Sequence, residues 1–575
     1  MNLASRILLP IAVLGAVTVC SSQTNPALPF QINNTPFQHV IVIFQENRTP
    51  DNLFGSKPTF EPGVNIRSWG SVQGNTNRVV LQPRPLADCY NPQHTHAAWL
   101  AMYEHGKMDG ALNEGISAYN GCQVPTSPEY VYVSATPGQS PQPYFDIATN
   151  YGFANYMFQT NQGPSFVAHQ FIFSGTSAPT YYNEPNDDNN LWWEWFAAEN
   201  AFIPSNNGVN GCIAASDTYA GQISWSGVES GNCTKRACYT PPDPPNASPG
   251  FPCYDHRSLP DLFLNQPFNG NPNITWTYYD GGSKTWLWTA PNALDKICVP
   301  QNGTCTGDYF NGKGVNGGVF DGNPAQIFND ISNCELKNVS WVIPEGQWSD
   351  HAGDSSNSGS NGTGPSWVAD IVNAIGKNTN CDPGQANGRS GYWNDTAILI
   401  TWDDWGGYYD HVLPLNCNAT GVCTGYPPST NGSRGSEYVY GFRVPLLVVS
   451  AYTRPGYVSG PVADPSSLPT SCPVGQVYPY CHDFGSILNF IEYVFGRNGF
   501  SLGEINPQYH YADYFAPDGP NGPGCNARLC PYSLSDFFDF STYRRAPRSF
   551  HSIPTEHDPS FFLNHPDAAM APDDD

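Results

Sequence analysis

Residues 394–412 read NDTAILITWDDWGGYYDHV, and this stretch decides the predicted fold. Thr396 to Trp402 form a short apolar run with several β-branched residues, which is typical of a strand buried on both faces. The run ends at Asp403 and Asp404, and two glycines follow. Two adjacent carboxylates repel each other and resist removal from water, so a cation between them would make their burial far easier. The alternative is an acidic turn that only closes the strand.

A second strand of the same design lies near the amino terminus. Residues 39–44 (HVIVIF) form another apolar run, and residues 45–55 (QENRTPDNLFG) follow it. In a parallel α/β sheet, ligands bind outside the carboxyl ends of the strands. The two strand ends would therefore deliver four oxygen-bearing side chains to one crevice: Glu46, Asn47, Asp403 and Asp404. All-oxygen ligation favours a hard divalent ion, namely Ca²⁺, Mg²⁺ or Mn²⁺.

Other segments extend the same sheet. Apolar runs at residues 338–343 and 444–450 predict two more strands, and residues 368–376 and 486–495 predict helices. We therefore predict an α/β fold built on a mainly parallel sheet.

The length of 575 residues would allow two or three domains. However, no repeat, charge block or long linker divides the chain, and strand motifs near both ends point to one sheet. We therefore expect a single large domain at residues 23–540, followed by a tail at residues 541–575.

Residues 1–22 have the features of a secretory signal peptide. A cationic start that includes Arg6 precedes an apolar core at residues 7–19 and small residues at the end. This core is too short to span a membrane, and no later apolar run reaches spanning length. Lipidation at Cys20 is a weaker alternative, because Val19 is bulkier than the residue expected before a lipidated cysteine. We expect a secreted or periplasmic protein with no transmembrane segment.

The cysteines predict disulfide bonds. Of 17 cysteines, all but Cys20 fall in the expected mature chain, and they include no C-x-x-C pair. In an exported protein this even number favours disulfides over zinc ligands. Cysteines close in sequence are predicted to staple loops: Cys298 with Cys305, Cys417 with Cys423, Cys472 with Cys481, and Cys525 with Cys530.

Charge limits the partners. The net charge is −25 and the sequence pI is about 4.7, which argues against nucleic acid and against electrostatic docking on anionic membranes. The net charge does not exclude uncharged or zwitterionic substrates, or small anions held through a local cation.

Residues 161–173 (NQGPSFVAHQFIF) predict an amphipathic helix that begins at a Gly-Pro turn. Ser165 falls in its first turn, where free N–H groups and the helix dipole would stabilise an alkoxide or a phosphoryl oxygen. The alternative is a simple helix-capping role for Ser165.

Three histidines are candidates for the same site. His94 and His96 lie at a predicted loop-to-helix junction, where each is either functional or a surface histidine. His351 follows the predicted strand at residues 338–343, a position from which it would bind an oxyanion or act as an acid.

Residues 179–322 are rich in Asn, Gly, Pro and Trp, which predicts long disulfide-stapled loops over the active-site face. The aromatic runs WWEWF (192–196) and TWTYY (275–279) lie in this region. Their rings either stack on sugars or acyl chains, or pack in the core.

The motifs together resemble the phosphoesterase family that contains bacterial non-haemolytic phospholipases C, plant non-specific phospholipases C and an acid phosphatase of an intracellular pathogen. The resemblance rests on QENRTPDNLFG (45–55), the segment of His94 and His96 with MDG (108–110), GPSF (163–166), SDH (349–351), DDWGGYYDHV (403–412), FRVP (442–445) and LSDFFDF (534–540). It implies an alkaline-phosphatase-like α/β/α sandwich with long disulfide-stapled loops.

The resemblance also implies roles for individual residues. It places metal ligands at Glu46, Asn47, Asp403 and Asp404, the nucleophile at Ser165, and phosphate-contacting histidines at His351 and His96. Ser165 followed by Phe166 is closer to the acid-phosphatase pattern than to the Thr common in the phospholipases C, and Pro50 stands where many members have Phe.

The implied function is that of a secreted, metal-dependent phosphoesterase with a serine nucleophile, of acid phosphatase or phospholipase C type. Its substrate would be a phosphate ester or a phospholipid. The alternative is a non-catalytic exported protein, either glycan-binding or a scaffold, built on aromatic loops.

Overall fold

The computed structural model describes residue 33 and residues 35–178, 195–202, 209–224, 251–266, 273–281, 287–307, 318–353, 361–381, 391–417, 423, 438–473, 480–507, 510–522, 525, 529–540 and 547–565. The predicted signal peptide at residues 1–22 lies outside this part of the chain. Among the described residues, no helix combines the length and apolar character that a bilayer span requires.

A central sheet of eight strands organises the described chain. In chain order the strands are β1 (His39–Gln45), β2 (Gly152–Ala154), β3 (Trp276–Tyr279), β4 (Gly318–Asp321), β5 (Val339–Val342), β6 (Thr396–Trp402), β7 (Leu446–Ser450) and β8 (Tyr457–Ser459). Their order across the sheet is β4-β3-β5-β1-β6-β7-β2-β8. Neighbours run parallel except at β7, which is antiparallel to both β6 and β2. The predicted α/β fold with a mainly parallel sheet is confirmed.

The two strands that carry the acidic motifs are neighbours. β1 pairs with β6 in parallel along its whole length, from His39 opposite Thr396 to Gln45 opposite Trp402. Every residue of β6 is buried, and so is β1 beyond His39, as expected of strands that lack a polar face. Because the strands end at the same level, the polar residues that follow them leave the sheet side by side.

Helices lie on both faces of the sheet. The helices of the described chain are α1 (Pro50–Phe54), α2 (His96–Tyr103), α3 (Gln142–Asn150), α4 (Ser165–Ser174), α5 (Gln326–Asn333), α6 (Gly364–Lys377), α7 (Phe484–Phe495), α8 (Ala512–Phe515) and α9 (Pro559–Asn564). Phe44 of β1 packs against rings of α4 and α7. Trp402, whose partner across the ladder is Gln45, packs against α3. Phe44 and Gln45 are consecutive residues and therefore point to opposite faces of the sheet, and Trp402 lies on the same face as its partner Gln45. Helix α3 therefore lies on the other side of the sheet from α4 and α7.

Short strand pairs surround this core. They are Trp69–Val72 with Asn75–Val80, Gln82–Arg84 with Val131–Val133, Tyr90–Pro92 with Ile116–Ala118, Met157–Phe158 with His482–Asp483, Trp195–Phe202 with Tyr219–Ser224, and Pro300–Gln301 with Thr304–Cys305.

One expectation for residues 179–322 is wrong. This region was predicted to form loops, but it contributes β3 and β4 to one edge of the central sheet. All four residues of β3 are buried, so the aromatic run packs in the core, which was the alternative to ligand stacking. The strand was missed because its short apolar run is surrounded by Gly, Pro and Asn, which normally indicate turns. Trp192 and Trp193 lie outside the described residues.

Seven disulfides join cysteines of the described chain. All four predicted pairs form: Cys298–Cys305, Cys417–Cys423, Cys472–Cys481 and Cys525–Cys530. Three further bonds join residues more than thirty positions apart: Cys89–Cys122, Cys212–Cys253 and Cys334–Cys381.

Helix α4 departs from the predicted amphipathic pattern, because all ten of its residues are buried. It is covered by the sheet on one side, since Trp341 of β5 donates its indole N–H to Ile172 O at 3.2 Å. Elsewhere it contacts α7 and the strand Trp195–Phe202. A helix enclosed all round is held rigidly, which suits a helix that presents a reactive side chain.

A buried polar cluster fixes the edge of the sheet at β8. His482 Nδ1 lies 2.7 Å from Asp518 Oδ2, and its Nε2 lies 2.8 Å from Ser459 Oγ. The Ser459 hydroxyl donates to Asp536 Oδ2 at 2.6 Å, so its proton points away from the imidazole. The cluster is therefore an ion-pair network rather than a nucleophile and its base. Burial lowers the pKa of His482, but the Asp518 carboxylate outweighs burial, and the pKa is raised overall.

We predict that His482→Gln destabilises the protein more at about pH 5.5 than at about pH 9. A histidine with a raised folded pKa stabilises the fold fully below its unfolded pKa of about 6.5 and loses this effect as pH rises through the folded pKa. Loss of one member of a buried pair costs about 3 kcal/mol. Urea unfolding at both pH values measures the difference, and an equal loss at both would contradict the prediction.

Candidate active site

The polar ends of β1 and β6 form one crevice. Asn47 follows β1 with a left-handed φ of 61°, and its backbone N–H donates to Asp403 Oδ1 at 3.0 Å. Gly406 approaches this turn so closely that a Cβ there would lie 2.4 Å from Asn47 O. Gly406 itself has a φ of +61°, which disfavours any larger residue. The Gly-Gly turn thus allows the two motifs to meet.

Ser165 lies at the centre of this crevice. It occupies the first helical position of α4, directly after Pro164, and is fully buried. Its hydroxyl donates to Glu46 Oε2 at 3.1 Å and lies 3.5 Å from Asp404 Oδ2. The side chains predicted to bind a metal and the predicted nucleophile are therefore neighbours, although they come from three distant parts of the sequence.

His94 and His351 lie against this group through Asn47, and their tautomers, like that of His96, follow from the backbone. A carbonyl oxygen can only accept, so a ring nitrogen that contacts one must carry the proton. Each Nδ1 contacts such a carbonyl: Pro92 O at 3.0 Å for His94, Gln162 O at 3.1 Å for His96, and Ala352 O at 2.6 Å for His351. In the neutral rings, each Nε2 therefore carries a lone pair.

The Asn47 amide lies between these histidines and two carboxylates. One end of the amide lies 2.9 Å from His94 Nε2 and 3.1 Å from His351 Nε2. The other end lies 2.9 Å from Asp403 Oδ1 and 3.0 Å from Glu46 Oε2. An NH₂ group at this end would donate to both carboxylates, and the amide oxygen would then accept from the two rings in their protonated form. With a cation bound, the reversed amide would turn its oxygen to the ion and donate from its NH₂ group to the neutral rings, so the side chains here could hold a divalent ion.

The charges in the crevice support the same conclusion. Glu46 is fully buried, and burial followed by the charges of Asp403 and Asp404 raises its pKa well above the usual value. The Ser165 hydroxyl, which donates to Glu46, opposes this shift only in part. The three carboxyl groups thus destabilise one another, and a bound cation would remove this cost.

A second acidic cluster nearby has its cation supplied by the protein. Asp51, Asp410 and His411 lie close enough to hold an ion. However, the buried Arg443 guanidinium lies 3.2 Å from Asp51 Oδ1 and 2.9 Å from Asp410 Oδ2. His411 Nδ1 also lies 2.6 Å from Asp51 Oδ2. This cluster is a structural ion-pair network, whereas the buried side chains of the crevice at Glu46 could hold a metal ion.

Residues at the end of β1 also position His351. Arg48 donates to Asp350 O through Nε at 2.9 Å and Nη2 at 2.6 Å. Gln45 accepts from Asp350 N–H at 3.0 Å and donates to Trp348 O at 3.3 Å. The loop that leads to His351 is therefore hydrogen-bonded to residues on both sides of Glu46, at the end of β1.

His94 lies as close to the Asn47 amide as His351 does, although the family resemblance gave a role only to His351 and His96. His94 and His96 are both buried, so the surface-histidine alternative is wrong for each. His94 contacts the Asn47 amide directly, whereas the ring of His96 stacks on Trp99 with centroids 6.4 Å apart.

His169 was missed in the sequence, although the spacing offered a signal. It follows Ser165 by four residues, which puts both side chains on one face of α4. His169 Nε2 lies 3.1 Å from Glu46 Oε1, and burial lowers the pKa of His169 to about 4.

Comparison with known proteins supports a family. A family model described as the phosphoesterase family matches residues 37–230 and 271–497. A non-hemolytic phospholipase C of Pseudomonas aeruginosa is 29% identical over 152 residues, covering 24% of this chain and 20% of that protein. Phospholipase C B of Mycobacterium tuberculosis is 29% identical over 144 residues, covering 24% of each. A hemolytic phospholipase C of Pseudomonas aeruginosa is 22% identical over 462 residues, covering 75% of this chain and 51% of that protein. The chain thus spans between a fifth and about half of the length of these relatives.

The two acidic clusters predict opposite effects of charge removal. In the presence of a chelator, we expect Glu46→Gln to leave the melting temperature unchanged or higher, because glutamine has the size of the buried carboxyl group and never adds a negative charge beside Asp403 and Asp404. We expect the matched change Asp410→Asn to cost about 3 kcal/mol, because the buried Arg443 loses one of its two carboxylate partners. Once the chelator is removed, added Mn²⁺ should raise the melting temperature of the parent protein but not that of Glu46→Gln. Differential scanning calorimetry measures all three effects, and a marked destabilisation by Glu46→Gln with chelator present would contradict the prediction.

Proposed function

The chain belongs to the phosphoesterase family, and from this premise we propose that it is an exported, metal-dependent hydrolase of phosphate esters with Ser165 as nucleophile. One observation carries the proposal: the Ser165 hydroxyl lies between Glu46 Oε2, at 3.1 Å, and Asp404 Oδ2, at 3.5 Å. The proposal includes an alkaline-phosphatase-like α/β/α domain at residues 23–540, in keeping with the helices on both sheet faces.

The metal ligands in this proposal are Glu46, Asn47, Asp403 and Asp404. The convergence of the Asn47 amide, Asp403 and Glu46 on one crevice supports this assignment. A divalent cation held there would lower the pKa of the Ser165 hydroxyl and neutralise a non-bridging phosphate oxygen.

Ser165 forms the new bond to phosphorus in line with the leaving oxygen. Its hydroxyl proton passes to the adjacent carboxylates, towards which it already points. The bond between phosphorus and the leaving oxygen breaks as His351, in its protonated form, gives the Nε2 proton to that oxygen. His96 stabilises the transferred phosphoryl group. A water molecule then attacks the phosphoserine and gives a proton to the neutral His351, while the carboxylate returns its proton to the Ser165 oxygen as the bond between that oxygen and phosphorus breaks. This step releases phosphate or a phosphomonoester and restores Ser165, the carboxylate and protonated His351.

The enclosure of the site restricts how a substrate enters. Ser165 is fully buried, whereas 7% of His351 is exposed to solvent. We therefore place the leaving group on the His351 side, with the phosphoryl group inserted towards Ser165. This arrangement assigns the more exposed histidine to the group that must depart.

The substrate is either a phospholipid or a phosphate monoester. The names of the relatives favour a phospholipid, whereas the Ser-Phe pair at residues 165–166 is closer to the acid-phosphatase pattern. Turnover of a chromogenic phosphate monoester and of phosphatidylcholine, each with and without chelator, decides between them. A glycan-binding or scaffold protein would hydrolyse neither.

We predict that Ser165→Ala reduces turnover at least about a thousandfold, because it removes the attacking oxygen. Ser174→Ala, a change of the same size at the other end of α4, is the matched control and should retain near-parental turnover. Acid quenching during turnover should trap phosphate on Ser165 of the parent protein, detected by peptide mass spectrometry. Undiminished turnover in a folded Ser165→Ala variant would exclude Ser165 as nucleophile.

A further inference from the structure

His169 has no part in the mechanism above, yet it lies against the proposed metal centre. It is fully buried on α4, and its Nε2 is 3.1 Å from Glu46 Oε1. The other oxygen of Glu46 faces Ser165 at 3.1 Å. The two oxygens of this carboxylate therefore have different neighbours, and Oε1 requires its own explanation.

The surroundings of the His169 ring select one tautomer. The Tyr278 hydroxyl donates its only proton to Trp288 O at 2.7 Å. Its oxygen lies 3.3 Å from His169 Nδ1 and can therefore only accept from the ring. The imidazole also stacks on Trp288, with an interplanar angle of 11°. In the neutral ring, Nδ1 thus carries the proton and Nε2 carries the lone pair.

This lone pair points at carboxylate oxygens, which only accept while the carboxyl groups are ionised. His169 Nε2 and carboxylate oxygens of Glu46 and Asp403 all lie within 4.8 Å of one another. Atoms that occupy adjacent positions around one divalent ion, each about 2.1 Å from it, lie about 3 Å apart. The 3.1 Å between His169 Nε2 and Glu46 Oε1 fits this spacing.

We propose that His169 Nε2 is a ligand of the divalent cation held at Glu46 and Asp403. This inference rests on the proposed function and refines it, because the centre then has mixed nitrogen and oxygen ligands. Imidazole suits transition metals such as Fe²⁺ and Zn²⁺, whereas Ca²⁺ and Mg²⁺ suit all-oxygen sites. The expected metal thereby shifts from Ca²⁺ and Mg²⁺ towards a transition metal, and Tyr278 becomes the residue that orients the ligand.

The rival role for His169 is to donate an Nε2–H hydrogen bond to Glu46. That role requires Tyr278 to redirect its proton from Trp288 O at 2.7 Å to His169 Nδ1 at 3.3 Å. The two roles differ in one measurable property, since only a ligand places its nitrogen nucleus in direct contact with the metal.

Pulsed electron paramagnetic resonance of the Mn²⁺-loaded full-length protein tests this difference. His169→Gln keeps an amide that can donate to Glu46 but removes the imidazole. His39→Asn is the matched control, because His39 is at the opposite end of β1 and contacts Lys337 O through Nδ1. Mn²⁺ and Mg²⁺ affinities are measured by calorimetry on the same samples.

We expect the ¹⁴N coupling of a bound imidazole in the parent protein and in His39→Asn, and its loss in His169→Gln. Mn²⁺ affinity should fall about tenfold or more in His169→Gln, and Mg²⁺ affinity should fall less. A parent protein that binds Mn²⁺ without this coupling, or a His169→Gln variant that retains it, would overturn the inference alone. A parent protein that binds no divalent ion would overturn the proposed metal dependence as well.

A second variant keeps the test valid if His169→Gln does not fold. Tyr278→Phe retains the ring packing but removes the oxygen that receives the Nδ1 proton. We expect it to bind Mn²⁺ several-fold more weakly while the ¹⁴N coupling persists. Unchanged Mn²⁺ affinity in a folded Tyr278→Phe would contradict the orientation assigned to His169.

Discussion

The mutual repulsion of buried carboxylates at the ends of β1 and β6 is the constraint on which the rest of the structure depends. Parallel pairing in register brings Glu46 beside Asp403, and neither can escape to solvent because both are fully buried. Such a group is stable only with a compensating positive charge or an added proton. Arg443 supplies the positive charge in one cluster, and we propose that a bound cation supplies it in the other.

Many residues of the motifs that follow β1 and β6 hold the crevice together and have no direct part in the proposed reaction. Arg48 and Gln45 hold the loop before His351. Arg443 joins Asp51 and Asp410, which come from the two motifs that follow β1 and β6. These buried contacts explain why the motifs extend well beyond the residues that could touch a phosphate. A long motif therefore contains residues that support the site as well as residues that could bind a ligand.

The sequence predicts the parts of this structure that depend on local pattern. β6 has the predicted bounds, because its apolar run is uninterrupted and ends at two charges. The antiparallel direction of β7 has no local signature, since it depends on how a long connection returns to the sheet. Short-range disulfides were predictable from proximity in sequence, whereas a bond such as Cys334–Cys381 depends on the folded chain. His169 was accessible through helical spacing, but its tautomer requires the position of Tyr278.

The central claim is that a divalent cation binds where the two motifs converge beside Ser165. Anomalous diffraction at the manganese edge, from crystals grown with Mn²⁺, tests this claim most directly. The account predicts a single strong peak enclosed by Glu46, Asn47 and Asp403, adjacent to the Ser165 hydroxyl. An empty crevice, or manganese bound instead between Asp51 and Asp410, would contradict it.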